Sequence, residues 1–254
     1  MEYELKKEGK FEYLEEGEGP VIVILHGLFG AMSNFQDVVP HFSKKYKVVI
    51  PLLPIYTLPV INTHVKALGK FLREFIEFKG YEEVNLLGNS LGGHVGLIYT
   101  SRYPEGVRTL TLTGSSGLYE NAFGGSFPKR GNYEFIRKKV EYTFFDPKNA
   151  TEPMVNECFE IVNDKSRALR VIALAKSAIR HNMAKELPTM ETPTCLIWGK
   201  NDLITPPEVA EEFKELMPKA DLFWIDKCGH APMMEHPEEF NKILTDWYDR
   251  ELAS

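Results

Sequence analysis

Val21-Ile22-Val23-Ile24-Leu25 is the feature that most restricts what this chain can fold into. Five successive aliphatic residues leave no polar face, so both faces of such a strand must be covered. Similar short apolar runs recur at Tyr46–Ile50, Val84–Leu87, Val107–Thr113, Thr194–Trp198 and Leu222–Ile225. Helical patterns separate most of them, at Asn62–Phe78, Leu91–Tyr103, Pro207–Met217 and Pro237–Arg250. Pro207 and Pro237 suit first-turn positions, where the missing N–H goes unused. The alternation predicts an α/β fold: a mostly parallel sheet with helices on both faces. Tyr3–Leu5 and Lys10–Leu14 are expected to form an antiparallel edge hairpin.

The alternation stops after Gly114. From 115 to 185 the pattern is helical, at Phe135–Phe144, Pro153–Asn163 and Ser166–Ile179, with Asn121–Pro128 reading as a mobile loop. Strands resume at Thr194. The expected organisation is a core domain made of 1–114 and 186–254, interrupted by a helical insertion at 115–185. A chain of 254 residues is long enough for one large domain with such an insertion.

Composition excludes several functions. The net charge is −6 with no basic stripe, which argues against a nucleic-acid partner. No run reaches the roughly 18 apolar residues of a membrane span, and the polar MEYELKKEGK start lacks the apolar core of a signal peptide. Cys158, Cys195 and Cys228 are far apart and odd in number, which fits free thiols in a reducing compartment. A cytoplasmic protein without a membrane association is therefore expected. No His/Asp/Glu cluster has metal-ligand spacing, so neither a metal nor another cofactor is expected. Nothing in the residues sets the oligomeric state.

The chemistry centres on Gly88-Asn89-Ser90-Leu91-Gly92, where the Val84–Leu87 strand turns sharply into a helix. Small neighbours permit a strained apex that lifts the Ser90 hydroxyl above the carboxyl edge of the sheet. The helix that follows offers its first N–H groups, starting at Leu91, to an anion forming beside Ser90. A serine needs a base, and the base an orienting carboxylate. Asp202 follows the Thr194–Trp198 strand and His230 follows Leu222–Ile225, so both leave the same edge as Ser90. The order Ser90, Asp202, His230 is that of one known triad arrangement. Asp226 is too near His230 in sequence to reach its far ring nitrogen. His94 is expected to pack on the sheet and His26 to brace its loop, whereas His41, His64, His181 and His236 lie on or beside helices. His26-Gly27-Leu28-Phe29-Gly30 follows the first strand, and its glycines let the Leu28 N–H point at the space reached by the Leu91 N–H. These two donors form a candidate oxyanion hole, and one such donor contributes about 3–4 kcal/mol in a transition state. Phe29, Ile204 and Ala231 are the candidates for lining the substrate pocket.

HGLFG, GNSLGG, WGKND and CGHAPMMEHP, in that order, resemble the serine hydrolases of the α/β-hydrolase fold. The resemblance spans Val21 to Tyr248 and implies Ser90 as nucleophile, His230 as general base and Asp202 as its acid. It also implies that the insertion is a helical cap over the pocket. Serine at position 90 separates the chain from the epoxide-hydrolase and dehalogenase branches, which carry a carboxylate there. Asn89-Ser90 and the run 202–213 resemble the C–C hydrolases of aromatic meta-cleavage pathways. The HGLFG loop and Ala231 depart from those enzymes' glycine-rich loop and tryptophan. The stretch Pro51–Pro59 departs from the family's usual loop. Its prolines and aliphatics suit an apolar pocket wall, or packing beneath the cap.

The expected activity is hydrolysis of a carboxylic ester of a small, largely apolar molecule. Three alternatives stay open: C–C bond hydrolysis, which calls for a buried arginine or lysine facing the pocket; acyl transfer or perhydrolysis; and a small-ligand receptor without turnover. Phe123, Phe127, Tyr133, Phe135, Phe144 and Phe145 make the insertion aromatic, and most are expected to hold it on the core. Lys129, Arg130, Arg137, Lys138 and Lys139 are expected on a solvated helix face.

Overall fold

The computed structural model describes residues 4–30, 32–121 and 129–252. Eight strands form one sheet: β1 (Lys6–Glu8), β2 (Phe11–Glu16), β3 (Val21–Leu25), β4 (Lys47–Pro51), β5 (Val84–Asn89), β6 (Val107–Thr113), β7 (Thr194–Gly199) and β8 (Ala220–Ile225). Their spatial order is β1-β2-β4-β3-β5-β6-β7-β8. β1 pairs with β2, and β2 with β4, in antiparallel fashion. Every other pairing is parallel. The chain therefore has the α/β architecture that its alternating pattern predicts.

Period-two alternation divides each strand between two cores. Val23 and Leu25, with Leu86, Leu110, Leu112, Leu196 and Trp198, face α2 (Val65–Lys79), α3 (Leu91–Arg102) and α7 (Pro207–Leu216). Ile22 and Ile24, with Leu87, Cys195 and Ile197, face α1 (Val39–Phe42) and α9 (Pro237–Glu251). Covering both faces explains the continuous apolar runs. Asn85, a polar residue inside one such run, is buried. It donates to the Val21 carbonyl at 3.1 Å and accepts from Thr109 Oγ1 at 2.7 Å, so its polar groups are matched.

Between β6 and β7 the chain carries α4 (Tyr133–Glu141), α5 (Glu152–Asn163) and α6 (Lys165–Arg180). Asn132 caps α4 by accepting from the Phe135 N–H. Asp164 caps α6 by accepting from Ser166 and Arg167. One further helix, α8 (Pro232–Glu235), follows the β8 loop. This single turn, like α1, is too short to leave a periodic signal in the sequence.

Two boundaries differ from expectation. Among the described residues the first strand of the edge hairpin is Lys6–Glu8, past the expected Leu5, because pairing of Glu8 with Phe11 across Gly9-Lys10 sets its register. Tyr3 itself lies outside the described residues, as do 122–128 of the expected loop with Phe123 and Phe127. The second helix starts at Val65, not Asn62, because residues 60–62 form a 3₁₀ turn and His64 caps the helix by accepting from the Ala67 N–H. The Pro51–Pro59 stretch packs beneath α6 instead of walling the pocket. Leu53 and Ile55 join the core with Val65, and Arg170 donates to the Leu58 carbonyl at 2.7 Å.

Beyond the pairing of β2 with β4, Glu15 ties the hairpin to the end of α2 and to Tyr81. Glu15 accepts from Lys6, from Tyr81 at 2.9 Å, and from Lys79 at 3.0 Å. Burial opposes its ionisation, but these donors outweigh burial and hold its pKa at about 2. A depressed pKa stabilises the fold above the unfolded value of 4.5, and the contribution is lost as pH falls toward 2. Chemical denaturation of Glu15→Gln and wild type should therefore show a stability gap at neutral pH that closes between pH 4.5 and 2. A gap that stays constant across that window would contradict this account.

Candidate active site

Ser90 sits between β5 and α3 with φ 54° and ψ −121°, a conformation that L-residues seldom adopt. The turn is held on both sides: the Ser90 N–H donates to Thr113 at 3.1 Å, and its carbonyl accepts from His94 and Ser116. Gly92 makes this possible. A Cβ there would lie 2.0 Å from the Leu25 carbonyl oxygen, so only glycine lets α3 start this close to β3. The result is a half-exposed hydroxyl at the carboxyl edge of the sheet.

Asp202 follows β7 and His230 follows β8. His230 Nδ1 stands 2.8 Å from Asp202 Oδ2. The same carboxylate accepts from the Ile204 N–H at 2.8 Å, the Thr205 N–H at 3.0 Å and Thr205 Oγ1 at 2.8 Å. Its side chain is fully buried, so this set of donors is what stabilises the charge. A carboxylate at Nδ1 places the ring proton there and leaves Nε2 as the free base. Burial alone would lower the His230 pKa, but the charge and hydrogen bond of Asp202 prevail and raise it. From the main chain, the His230 N–H donates to Thr143 at 2.8 Å, and Asn89 Nδ2 donates to the His230 carbonyl at 3.2 Å.

Ser90 and His230 line one cavity of about 1270 Å³, part of it open to solvent. Leu28, Phe29, Leu91, Ile204 and Ala231 line it too, so seven of the eight residues singled out in the sequence meet at this space. The eighth, Asp202, stands behind the imidazole. Apolar walls come from Ile136, Val140, Phe144, Met154, Val162 and Met234. Tyr56 steadies the Leu28 loop by donating to its carbonyl at 3.3 Å. His26 braces the base of that loop, accepting from the Leu53 N–H at 3.1 Å through Nε2. Its Nδ1 lies 2.9 Å from the Gly27 carbonyl, so Nδ1 carries the proton; burial lowers its pKa and keeps the ring neutral.

Other expectations need correction. His94 packs against more than the sheet: its Nε2 meets Nδ1 of His181, at the end of α6, at 2.9 Å. Burial lowers its pKa to about 3, so it stays neutral. Lys139 leaves the predicted solvated face and lines the cavity. Its neighbours behave as surface groups, Arg137 bonding Glu152 at 2.6 Å and Arg130 the Asn163 carbonyl at 2.9 Å.

Sequence reasoning missed three participants. Thr205 orients Asp202. Ser116 and Glu120 line the cavity, and Ser116 Oγ donates to the Glu120 carboxylate. Burial raises the Glu120 pKa against the opposing pull of Ser116 and His230. The signal for these two was available in Gly114-Ser115-Ser116-Gly117, which leaves β6 at the same edge as Ser90. Gly92→Ala should destabilise the protein by about 3 kcal/mol or more, through overpacking against backbone that cannot retreat. Urea denaturation reads this directly, and a loss below about 0.5 kcal/mol would show that α3 can shift.

Comparison with known proteins identifies the family to which this fold belongs. Residues 22–243 match the model of the alpha/beta hydrolase family. The crystal structure of MGS-MChE2, an alpha/beta hydrolase enzyme from the metagenome of Mar Chica lagoon sediments in Morocco, is 52% identical. It superposes with a TM-score of 0.81 over 97% of this chain and 98% of that one. A 2-hydroxy-6-oxononadienedioate/2-hydroxy-6-oxononatrienedioate hydrolase from a Pseudomonas species is 27% identical, over 95% of this chain and 93% of the relative. Lipase 1 of Psychrobacter immobilis is 24% identical, over 91% of this chain and 78% of the relative. With a family match over most of its length and a related enzyme sharing half its residues, the chain is a member of the alpha/beta hydrolase family.

Proposed function

We propose that this chain hydrolyses a carboxylic ester of a small, largely apolar molecule through an acyl-enzyme on Ser90. The observation that carries the reading is the Asp202–His230 pair opening onto the same apolar cavity as the strained Ser90 turn. His230 Nε2 takes the hydroxyl proton as Ser90 Oγ attacks the carbonyl carbon. The Leu28 and Leu91 N–H groups stabilise the oxyanion. The tetrahedral intermediate collapses, the C–O bond to the alcohol breaks, and His230 returns the proton to the leaving oxygen. Water then attacks the acyl carbon, giving its proton to His230, and the acid leaves as Ser90 recovers its hydrogen. Asp202 stabilises the imidazolium formed in each half. Residues 115–185 serve as a cap whose helices α4–α6 close the acyl pocket over the core formed by 1–114 and 186–254.

A second reading is C–C hydrolysis of the meta-cleavage type. The likeness to the dienedioate hydrolase favours it, and so does Lys139, the single lysine or arginine among the described residues lining the cavity. The ester reading is preferred because no arginine lines the described cavity to grip a carboxylate in bidentate fashion, and Glu120 adds a carboxyl group to the wall. Two assays on one preparation separate the readings: turnover of an acyl-ester panel of graded length, and loss of the dienolate absorbance of a meta-cleavage product. Turnover confined to the dienolate would overturn the ester assignment.

Labelling with a fluorophosphonate should modify Ser90. Ser90→Ala should lose labelling and lower kcat by about 10⁴-fold or more. Wild-type ester turnover in that variant would remove Ser90 from the mechanism.

The acid limb of kcat/KM reports the free-enzyme base, which must be deprotonated to act. Because the His230 pKa is raised, the limb should lie above the ordinary histidine value of 6.5, with activity rising through it as pH increases. Asp202→Asn removes the carboxylate that raises it, so the residual activity should show its limb at lower pH. An identical limb in both proteins would separate Asp202 from the base.

A further inference from the structure

Glu235, at the end of the short α8 turn, is absent from the chemistry above, yet its two carboxylate oxygens face two different parts of the chain. Oε1 accepts the N–H of Gly229, the residue immediately before His230, at 2.6 Å. Oε2 accepts the Phe145 N–H at 2.8 Å and the Asp146 N–H at 3.4 Å, both in the segment that joins α4 to α5. The neighbouring contact runs the other way: the His230 N–H donates to the Thr143 carbonyl at 2.8 Å. The two backbones are pressed together at this point. A Cβ on Gly229 would stand 2.6 Å from the Thr143 oxygen and 2.9 Å from the Phe145 nitrogen. No side chain fits between the His230 loop and the 143–146 segment.

We infer that Glu235 is a positioning residue: it bridges the 143–146 segment to the Gly229-His230 loop, so that the placement of the imidazole depends on that segment being docked. The inference rests on the reading of His230 as the base. The physical reason lies in the acceptor count. A carboxylate offers two acceptor oxygens, and here each serves a different stretch of backbone. Their N–H groups have no place in a regular element: Gly229 lies in a loop, and Phe145 and Asp146 lie between helices. An amide at position 235 keeps one acceptor and turns an NH₂ group toward the other set of N–H donors, which repels them. One of the two attachments must then open: either the N–H of buried Gly229 loses its partner, or the exposed Phe145 and Asp146 N–H groups turn to water and the 143–146 segment is released.

The bridge predicts that two segments about 85 residues apart loosen together. Hydrogen exchange on the full chain should show faster exchange of both 143–146 and 228–230 in Glu235→Gln than in wild type. The fluorophosphonate should label Ser90 about 10-fold more slowly, as expected for a displaced base, with kcat lowered more than KM is raised. Phe145→Pro provides a second variant. It removes one N–H on the 143–146 side and leaves the Gly229 bond to Glu235 intact, and it should likewise slow labelling. Wild-type labelling in both variants despite faster exchange at 143–146 would overturn the inference. So would loosening of 228–230 alone in Glu235→Gln, which would reduce Glu235 to a local loop cap. Failure of the wild-type protein to label at Ser90 would instead sink the proposed function, with the coupled exchange still readable.

Discussion

Parallel pairing of β4, β3, β5, β6, β7 and β8 puts the carboxyl ends of six strands along a single edge. A parallel strand cannot return by a tight turn, so each connection crosses over through a helix and re-enters from the opposite edge. Every loop that leaves the carboxyl edge is thereby free to carry chemistry. His26 to Gly30 leaves β3, Ser90 leaves β5, Ser116 and Glu120 follow β6, Asp202 leaves β7 and His230 leaves β8. Residues scattered over two hundred positions meet because the sheet has one such edge. The apolar faces of the strands hold that edge in place, and the polar side chains of Ser90, Asp202 and His230 take no part in the apolar core.

Electrostatics then sorts the titratable groups that this arrangement collects. Four donors surround the two oxygens of the buried Asp202 carboxylate. That charge in turn raises His230. His26 and His94, equally buried but without a carboxylate, are driven neutral. Glu120 is pushed toward its protonated form by the same burial. Histidines of similar exposure thus have their pKa moved in opposite directions, because only one of them meets a buried carboxylate at hydrogen-bonding distance.

The helices between β6 and β7 are joined to the rest by polar contacts as well as by a shared core, to which α6 gives Leu174 and Ala178. Ser177 Oγ accepts from the Val65 N–H, the His94–His181 pair joins α3 to α6, and Arg170 reaches the Leu58 carbonyl. The His230 N–H and the Glu235 carboxylate fasten the 143–146 segment. Apolar side chains of α4, α5 and α6, such as Ile136, Val162 and Ala175, remain facing the cavity. This division leaves an apolar chamber beside a polar, hydrogen-bonded seam that contains the imidazole.

Much of this is legible in the amino-acid sequence. Short, nearly continuous apolar runs give the strands, and a serine between small residues at a strand-to-helix junction marks its own turn. Asp202 and His230 follow because each stands just past a strand that must end at the same edge. These signals are local, and backbone sterics and hydrophobic periodicity act over a few residues. The cavity wall, the Thr205 support of Asp202, the departure of Lys139 from the surface and the two-sided grip of Glu235 were not legible. Thr205 depends on the shape of the turn after β7, and the others on how distant segments settle on one another, which is decided by packing between residues far apart in the chain. The sequence by itself determined which strands form, and that Ser90, Asp202 and His230 leave one edge. Only the tertiary structure decided what surrounds them, because burial and hydrogen-bond partners are properties of the folded neighbourhood and not of the chain.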